Sequence, residues 1–187
     1  MSREDKSSSG PETQRLFFAL WPPIELSHEL YRLAGSALHG GTGRRVLPEN
    51  IHLTLAFLGS VDASFRACAE QAAMAIRAAP FTLMLEQMGH WPKSGILWVG
   101  PRQTPPPLLQ LVQQLNAGLA VCGHEAEQRP YAAHLTLARQ ARLRQVTHSI
   151  EPRAWEINRF HLVQSQTHAA GARYEILRSW PLNSPAA

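Results

Sequence analysis

His52-Leu-Thr-Leu-Ala56 returns residue for residue as His134-Leu-Thr-Leu-Ala138, and the reading of that repeated pentapeptide decides the fold. Residues i and i+2 of a β-strand point to one face, so His52 and Thr54 project together while Leu53 and Leu55 project to the other. His134 and Thr136 obey the same rule. The leucines then anchor each strand in a core, and imidazole and hydroxyl are left facing a cleft. A single His-x-Thr-x is ordinary strand packing, whereas two identical pentapeptides carrying a histidine are a shared feature that asks for a function.

Outward from the first copy, Arg15-Leu-Phe-Phe-Ala-Leu20 is a short apolar run stopped by Trp21-Pro22-Pro23, which predicts a buried strand. Leu26, Leu30, Leu33, Ala34 and Leu38 recur at helical spacing and predict a helix over Glu25–Leu38. Gly40, Gly41 and Gly43 then read as a flexible turn carrying Arg44 and Arg45 toward the motif strand, Ile51 to Leu58. An alanine-rich helix is expected over Ala63–Ala79, ended by Pro80. Strands are expected over Phe81–Met88 and Gly95–Val99, and a helix over Leu108–Val121, opened by Pro105-Pro106-Pro107 and closed by Gly123. After the second motif strand, His134–Ala138, come an Arg-rich stretch to Arg144, a short helix, and two strands, Arg159–Gln166 and Arg173–Trp180. Each half thus offers a helix and a His-Thr strand, which predicts an internally duplicated α+β protein.

The bulk numbers suit this picture. A chain of 187 residues, 44% of them apolar, makes one domain or two small lobes sharing a cleft. Its 18 Lys and Arg against 14 Asp and Glu give a net charge of +4, a mild bias toward polyanions. Only Lys6 and Lys93 are lysines, and guanidinium forks suit phosphate, although a G+C-rich genome enriches arginine as well. Cys68 and Cys122, among small apolar residues, read as reduced structural thiols of a cytosolic protein. Residues Met1 to Gln14, with Ser7-Ser8-Ser9-Gly10-Pro11, read as a disordered tail without the apolar core of a secretion signal, leaving 15–187 as a single domain. No transmembrane span appears, and the expected compartment is the cytoplasm.

If the two strands meet, the cleft holds two imidazoles and two hydroxyls. Attack on a phosphodiester needs a base to take a proton from water and an acid to protonate the departing sugar oxygen. Imidazole titrates near 6.5, so one neutral and one protonated histidine supply both roles. The hydroxyls of Thr54 and Thr136 are placed to donate to non-bridging phosphate oxygens, and Arg139, three residues past Thr136, adds a cationic fork. Zinc is the chemical rival, but threonine is a poor third ligand and no other histidine shows ligand spacing, so no metal and no cofactor are expected. A Walker loop and a nucleophile elbow are both missing.

These residues resemble a known family, the two-histidine phosphoesterases, and within it the bacterial and archaeal RNA 2',3'-cyclic phosphodiesterases of the LigT/ThpR type. Pro48-Glu-Asn-Ile-His-Leu-Thr-Leu-Ala-Phe-Leu-Gly59 is similar to the family's first motif block and His134-Leu-Thr-Leu-Ala-Arg139 to its second. Arg15–Leu20 resembles the opening strand, and Gln164-Ser-Gln-Thr with Gly171-Ala-Arg-Tyr-Glu-Ile-Leu and Trp180-Pro-Leu182 the closing hairpin. The resemblance implies a bilobal fold, two antiparallel sheets facing a central cleft with helices on their outer faces. It implies hydrolysis of RNA 2',3'-cyclic phosphate ends to 2'-phosphomonoesters, with His52 as proton donor, His134 as proton acceptor, and a reverse 2'-5' ligation. Ala133 departs from the proline common before the second histidine, which bears on the rigidity of that strand's entry.

Other readings stand beside it: a non-catalytic module that grips RNA ends, or a relative acting on 2'-5' oligonucleotides or small cyclic nucleotides. Arg44, Arg45, Arg139, Arg142 and Arg144 are candidates for the RNA backbone, and Trp91 or Trp98 for a terminal base, with a solvated basic face and buried packing as the plainer alternatives. A monomer is expected.

Overall fold

A computed structural model of the chain describes residues 13–143, 149–168 and 171–183. The expected tail up to residue 12 and Arg144 lie outside them. The elements run β1 (Gln14–Leu20), α1 (Ile24–Ala37), β2 (Thr42–Arg45), a 3-10 turn (Pro48–Asn50), β3 (Leu53–Val61), α2 (Ala63–Met74), β4 (Phe81–Trp91), β5 (Ile96–Gly100), α3 (Pro106–Val121), β6 (Leu135–Arg142), β7 (Ser149–Ile157), β8 (Arg159–His168) and β9 (Gly171–Pro181).

The strands form an antiparallel array in the order β7-β4-β5-β6-β3-β1-β8-β9, with β2 added on β6. The two expected sheets are therefore its two halves, and they are joined at one residue pair, Leu53 with Leu135. Each half contains the same unit of strand, helix and motif strand, namely β1-α1-β3 and β5-α3-β6, with the two strands of each unit paired antiparallel. The helices cross the seam, since α1 packs on β6 and α3 on β3. One apolar core consequently spans both halves, from Leu16 and Phe18 through Leu53, Leu97 and Leu135 to Phe160.

Local chemistry explains the helix ends. The Asp62 side chain accepts a hydrogen bond from the Phe65 amide at 2.8 Å and caps α2. Helix α2 stops at Met74, short of the expected Ala79, because the Gln114 side chain replaces the helical partners of Arg77. Its oxygen accepts from the Arg77 amide at 3.0 Å and its nitrogen donates to the Arg77 carbonyl at 2.9 Å. Helix α3 opens on proline, whose missing amide costs nothing there, and buries Leu108, Leu111, Val112, Leu115 and Leu119 along one stripe.

Three expectations are corrected. The short helix expected before Arg159 is the strand β7, where Trp155 and Ile157 are buried at a spacing of two and Pro152 is tolerated because β7 is an edge strand. The glycine-rich turn contains strand β2. Gly43 allows it to lie close on β6, since a Cβ there would stand 3.1 Å from the Ala141 Cα. Cys68 and Cys122 are a disulfide joining α2 to the end of α3 across 54 residues, not two free thiols. Packing of α2 on α3 brings them together, a contact invisible in their sequence separation. Among the described residues no helix is long and apolar enough to cross a membrane.

Candidate active site

The Leu53–Leu135 pair lies between the two histidines. Carried one residue in either direction, that antiparallel register sets His52 across from Thr136 and Thr54 across from His134. Residues facing each other in a sheet share a face. The four polar groups of the two pentapeptides therefore stand on one face about a local pseudo-dyad, while Leu53 and Leu135 are fully buried on the other.

The imidazoles are oriented alike. Nδ1 of His52 lies 2.7 Å from the Asn50 carbonyl and Nδ1 of His134 lies 2.8 Å from the Ala132 carbonyl. A carbonyl only accepts, so each Nδ1 carries hydrogen and donates, and neither Nε2 has a hydrogen-bond partner among the described residues. The entry to the second motif is held without proline. Gly100 packs so closely on it that a Cβ there would stand 2.5 Å from the Ala133 oxygen. Tyr131 ties the copies together, its buried hydroxyl donating to the Thr54 carbonyl at 2.8 Å.

A β-bulge interrupts each motif strand at the same place. The register shifts between Phe18 and Ala19 on β1, leaving Leu55 as the extra residue of β3, and between Leu97 and Trp98 on β5, leaving Leu137 as the extra residue of β6. A bulge reverses the alternation of the residues beyond it. Arg139 is thereby turned onto the cleft face. Phe57, its counterpart three residues past Thr54, is turned there too. It is 47% exposed, with the Arg15 guanidinium 4.7 Å from its ring centre. Phe57 was not among the expected site residues, although alignment of His-Leu-Thr-Leu-Ala-Phe57 with His-Leu-Thr-Leu-Ala-Arg139 carries the signal.

Identical motifs have unlike surroundings. His52 sits among Trp21, stacked at 5.0 Å and 15°, Phe17 at 4.9 Å and Tyr174 edge-on at 5.0 Å. Burial pushes its pKa down to about 4, against the opposing pull of the Asn50 carbonyl and with the help of the Arg139 and His134 charges. His134 is flanked by Trp91 alone of the tryptophans, edge-on at 4.7 Å. Its pKa is also lowered, by burial first and then by Arg139, with the Ala132 carbonyl opposing. Both imidazoles are therefore biased toward the neutral form.

The cleft has two arms meeting at His52, Arg139, Ala172 and Tyr174. One holds Arg44, Arg45, Leu47, Asn50 and Thr136, and the other Arg15, Phe17, Thr54, Phe57 and Ser165. No carboxylate lines either arm. Of the other expected contacts, Arg45 is fastened to α1, its guanidinium 3.9 Å over the Tyr31 ring, and Arg142 lies opposite Thr42 at the far end of β6, away from both arms. Trp91 packs on Trp98 as well as on His134. Among the described residues no three His, Cys, Asp or Glu side chains converge on a metal position.

Comparison with known proteins adds an independent line. Residues 22–169 match the model of the 2'-5' RNA ligase superfamily. The chain is 36% identical over 175 residues to an Escherichia coli protein named RNA 2',3'-cyclic phosphodiesterase, covering 91% of this chain and 98% of that one. A Thermus thermophilus protein of the same name is 28% identical, over 90% of each chain. The crystal structure of E. coli LigT complexed with 3'-AMP superposes with a TM-score of 0.86 at 34% identity, covering 92% of this chain and all of that one.

Proposed function

Since the chain belongs to the 2'-5' RNA ligase superfamily, we propose that it opens RNA 2',3'-cyclic phosphate ends to 2'-phosphomonoesters by metal-independent acid–base catalysis. The observation that carries this reading is the pseudo-dyad about Leu53 and Leu135, which gathers two histidines and two threonines on one face. It supplies the acid, the base and the hydrogen-bond donors that phosphodiester hydrolysis needs, and a histidine pair alone would not supply the last.

In this reading His134 Nε2 accepts a proton from water as the oxygen attacks phosphorus. The bond from phosphorus to O3' breaks, and His52 Nε2 delivers the proton that O3' requires. Arg139, with no ion pair among the described residues, takes the phosphate through its fork, and Thr54 and Thr136 donate to the non-bridging oxygens. The bound anion raises both imidazole pKa values and so provides His52 with the proton that the empty site withholds. Phe57 offers a face for the terminal base. With a 5'-hydroxyl in place of water the same steps make a 2'-5' bond. The binding of 3'-AMP and of phosphate by E. coli LigT supports a nucleotide phosphate in this cleft.

One chain supplies both histidines, which supports a monomer as the acting form. RNA as substrate points to the cytoplasm.

The test is product identity. Incubated with a cyclic-ended RNA in EDTA, the purified protein is expected to leave a 2'-phosphate. Activity lost on chelation and restored by zinc overturns the metal-free mechanism, and a 3'-phosphate product exchanges the leaving group.

A further inference from the structure

We infer that Arg44 binds a second phosphate, one linkage away from the reacting one, so that the cleft selects oligonucleotide over mononucleotide ends. The inference rests on the cyclic phosphodiesterase reading above and adds a residue to which that reading gives no role.

The register of β2 on β6 places Arg44 directly opposite Arg139. Opposed residues of an antiparallel pair have Cβ atoms about 5 Å apart on one face, and like charges so placed repel. Both side chains line the same arm of the cleft, beside His52 and Thr136. Neither makes an ion pair among the described residues. No carboxylate in that arm offsets them. The neighbouring Arg45 is treated differently, since Tyr31 holds its guanidinium by both ring and carbonyl. Both arginines line this arm, but the Arg45 guanidinium is already engaged by Tyr31, whereas Arg44 has no ion pair or side-chain hydrogen bond among the described residues. The close contact of Gly43 with Ala141 fixes β2 against β6, so Arg44 is presented from a supported strand even though β2 is exposed.

Counting charge identifies the ligand. A cyclic phosphate is a monoanion. Arg139 and one protonated imidazole already exceed its charge, so a further guanidinium at the same spot has nothing left to neutralise. An internucleotide phosphate brings a second negative charge at the adjacent position. Mutual repulsion splays the two guanidinium groups, one to each phosphate. Leu47, 50% exposed, and Asn50 line the same arm and offer an apolar and a polar surface to the nucleotide that carries the two phosphates.

The experiment measures kcat/KM for a cyclic-ended dinucleotide and for the matching 2',3'-cyclic mononucleotide, in wild type, R44Q and R44K, over a series of salt concentrations. Wild type is expected to prefer the dinucleotide by about tenfold or more, the scale of one charge-assisted contact. In R44Q that ratio is expected to fall toward one. The dependence of log kcat/KM on log salt for the dinucleotide should become shallower by about 0.7, one phosphate contact on a single strand. R44K, which keeps the charge and loses the fork, is expected to keep the salt slope and part of the ratio. A wild type without preference, an R44Q that lowers both substrates in parallel, or an R44Q that keeps the ratio each overturns the inference. A wild type that opens neither substrate overturns the phosphodiesterase reading instead.

Discussion

Replacing Trp21 by alanine probes how the cleft controls its protons. The Trp21 indole lies parallel to the His52 ring, and with Phe17 and Tyr174 it makes three aromatic walls. Their exclusion of water is the first reason that His52 titrates at about 4 rather than 6.5. That distance corresponds to about 3 kcal/mol against the charged ring. The reacting cleft needs one proton shared between two imidazoles. Below about pH 4 both rings are protonated in the free protein and the base is lost. Above the His134 value, itself under 6.5, both are neutral and the acid is lost. Since kcat/KM reports the free enzyme, it is expected to peak in the acid range and to fall tenfold per pH unit above the upper limb. The kcat profile should lie at higher pH, because bound phosphate favours both imidazolium forms. If the three walls contribute equally, removing one returns about 1 kcal/mol and lifts the acid limb by somewhat under one pH unit, leaving the upper limb almost in place. Rates on a 2',3'-cyclic nucleotide, with the NMR titration of the His52 ring as a direct readout, check both points. A wild-type His52 titrating near 6.5, or an acid limb that does not move in W21A, refutes the reasoning.

Substituting either histidine by alanine should cost about 100- to 10,000-fold in kcat with the fold intact. A substrate with sulfur in place of O3', whose thiolate departs without a proton, should rescue H52A and leave H134A inactive; the opposite pattern exchanges their roles. Tyr131→Phe removes the donor to the Thr54 carbonyl and should lower stability by about 1–2 kcal/mol together with a drop in turnover, read from melting and from kcat; unchanged values for both would show that this bond does not hold the two copies in register. Reducing the Cys68–Cys122 bridge, which closes 54 residues, should cost up to about 4 kcal/mol of stability on the chain-entropy account, and two thiols titrating in the unreduced protein would deny the bridge altogether.

The motif strands and the three helices were legible because each is set by a local rule: a period of two around the leucines, a period near four in α1 and α3, proline at the boundaries. The site is only half legible by such rules. His52, Thr54, His134 and Thr136 follow from alternation, but their meeting depends on the Leu53–Leu135 register, which joins residues nearly half a domain apart in sequence. Arg139 illustrates the limit most clearly. By simple alternation from Thr136 it belongs on the leucine face, and the bulge at Leu137 moves it to the cleft. Strand β2 was hidden by the glycines at and before it, which suggested a loose turn, whereas the missing side chain of Gly43 in fact allows close contact with Ala141. In β7, Pro152 and a mixed composition masked a period of two that only Trp155 and Ile157 express in burial.

Symmetry gives this cleft its inventory, and departure from symmetry gives it a direction. Two identical pentapeptides related by a pseudo-dyad present two equivalent protonation sites, and nothing within the repeat tells a leaving oxygen from an attacking one. The distinction enters at the first position where the copies differ. Phe57 and Arg139 occupy equivalent places beyond equivalent bulges, one an uncharged ring suited to stacking and the other a guanidinium suited to phosphate. A nucleotide bound with its base on the phenylalanine side and its phosphate on the arginine side can lie only one way across the dyad. The aromatic walls around His52 act in the same sense. They make its proton the harder one to hold in an empty site and therefore the more readily surrendered once the phosphate has brought it in. In the proposed reaction the duplicated motif supplies acid and base, and the difference between Phe57 and Arg139 at the sixth position is what would set which histidine gives and which receives.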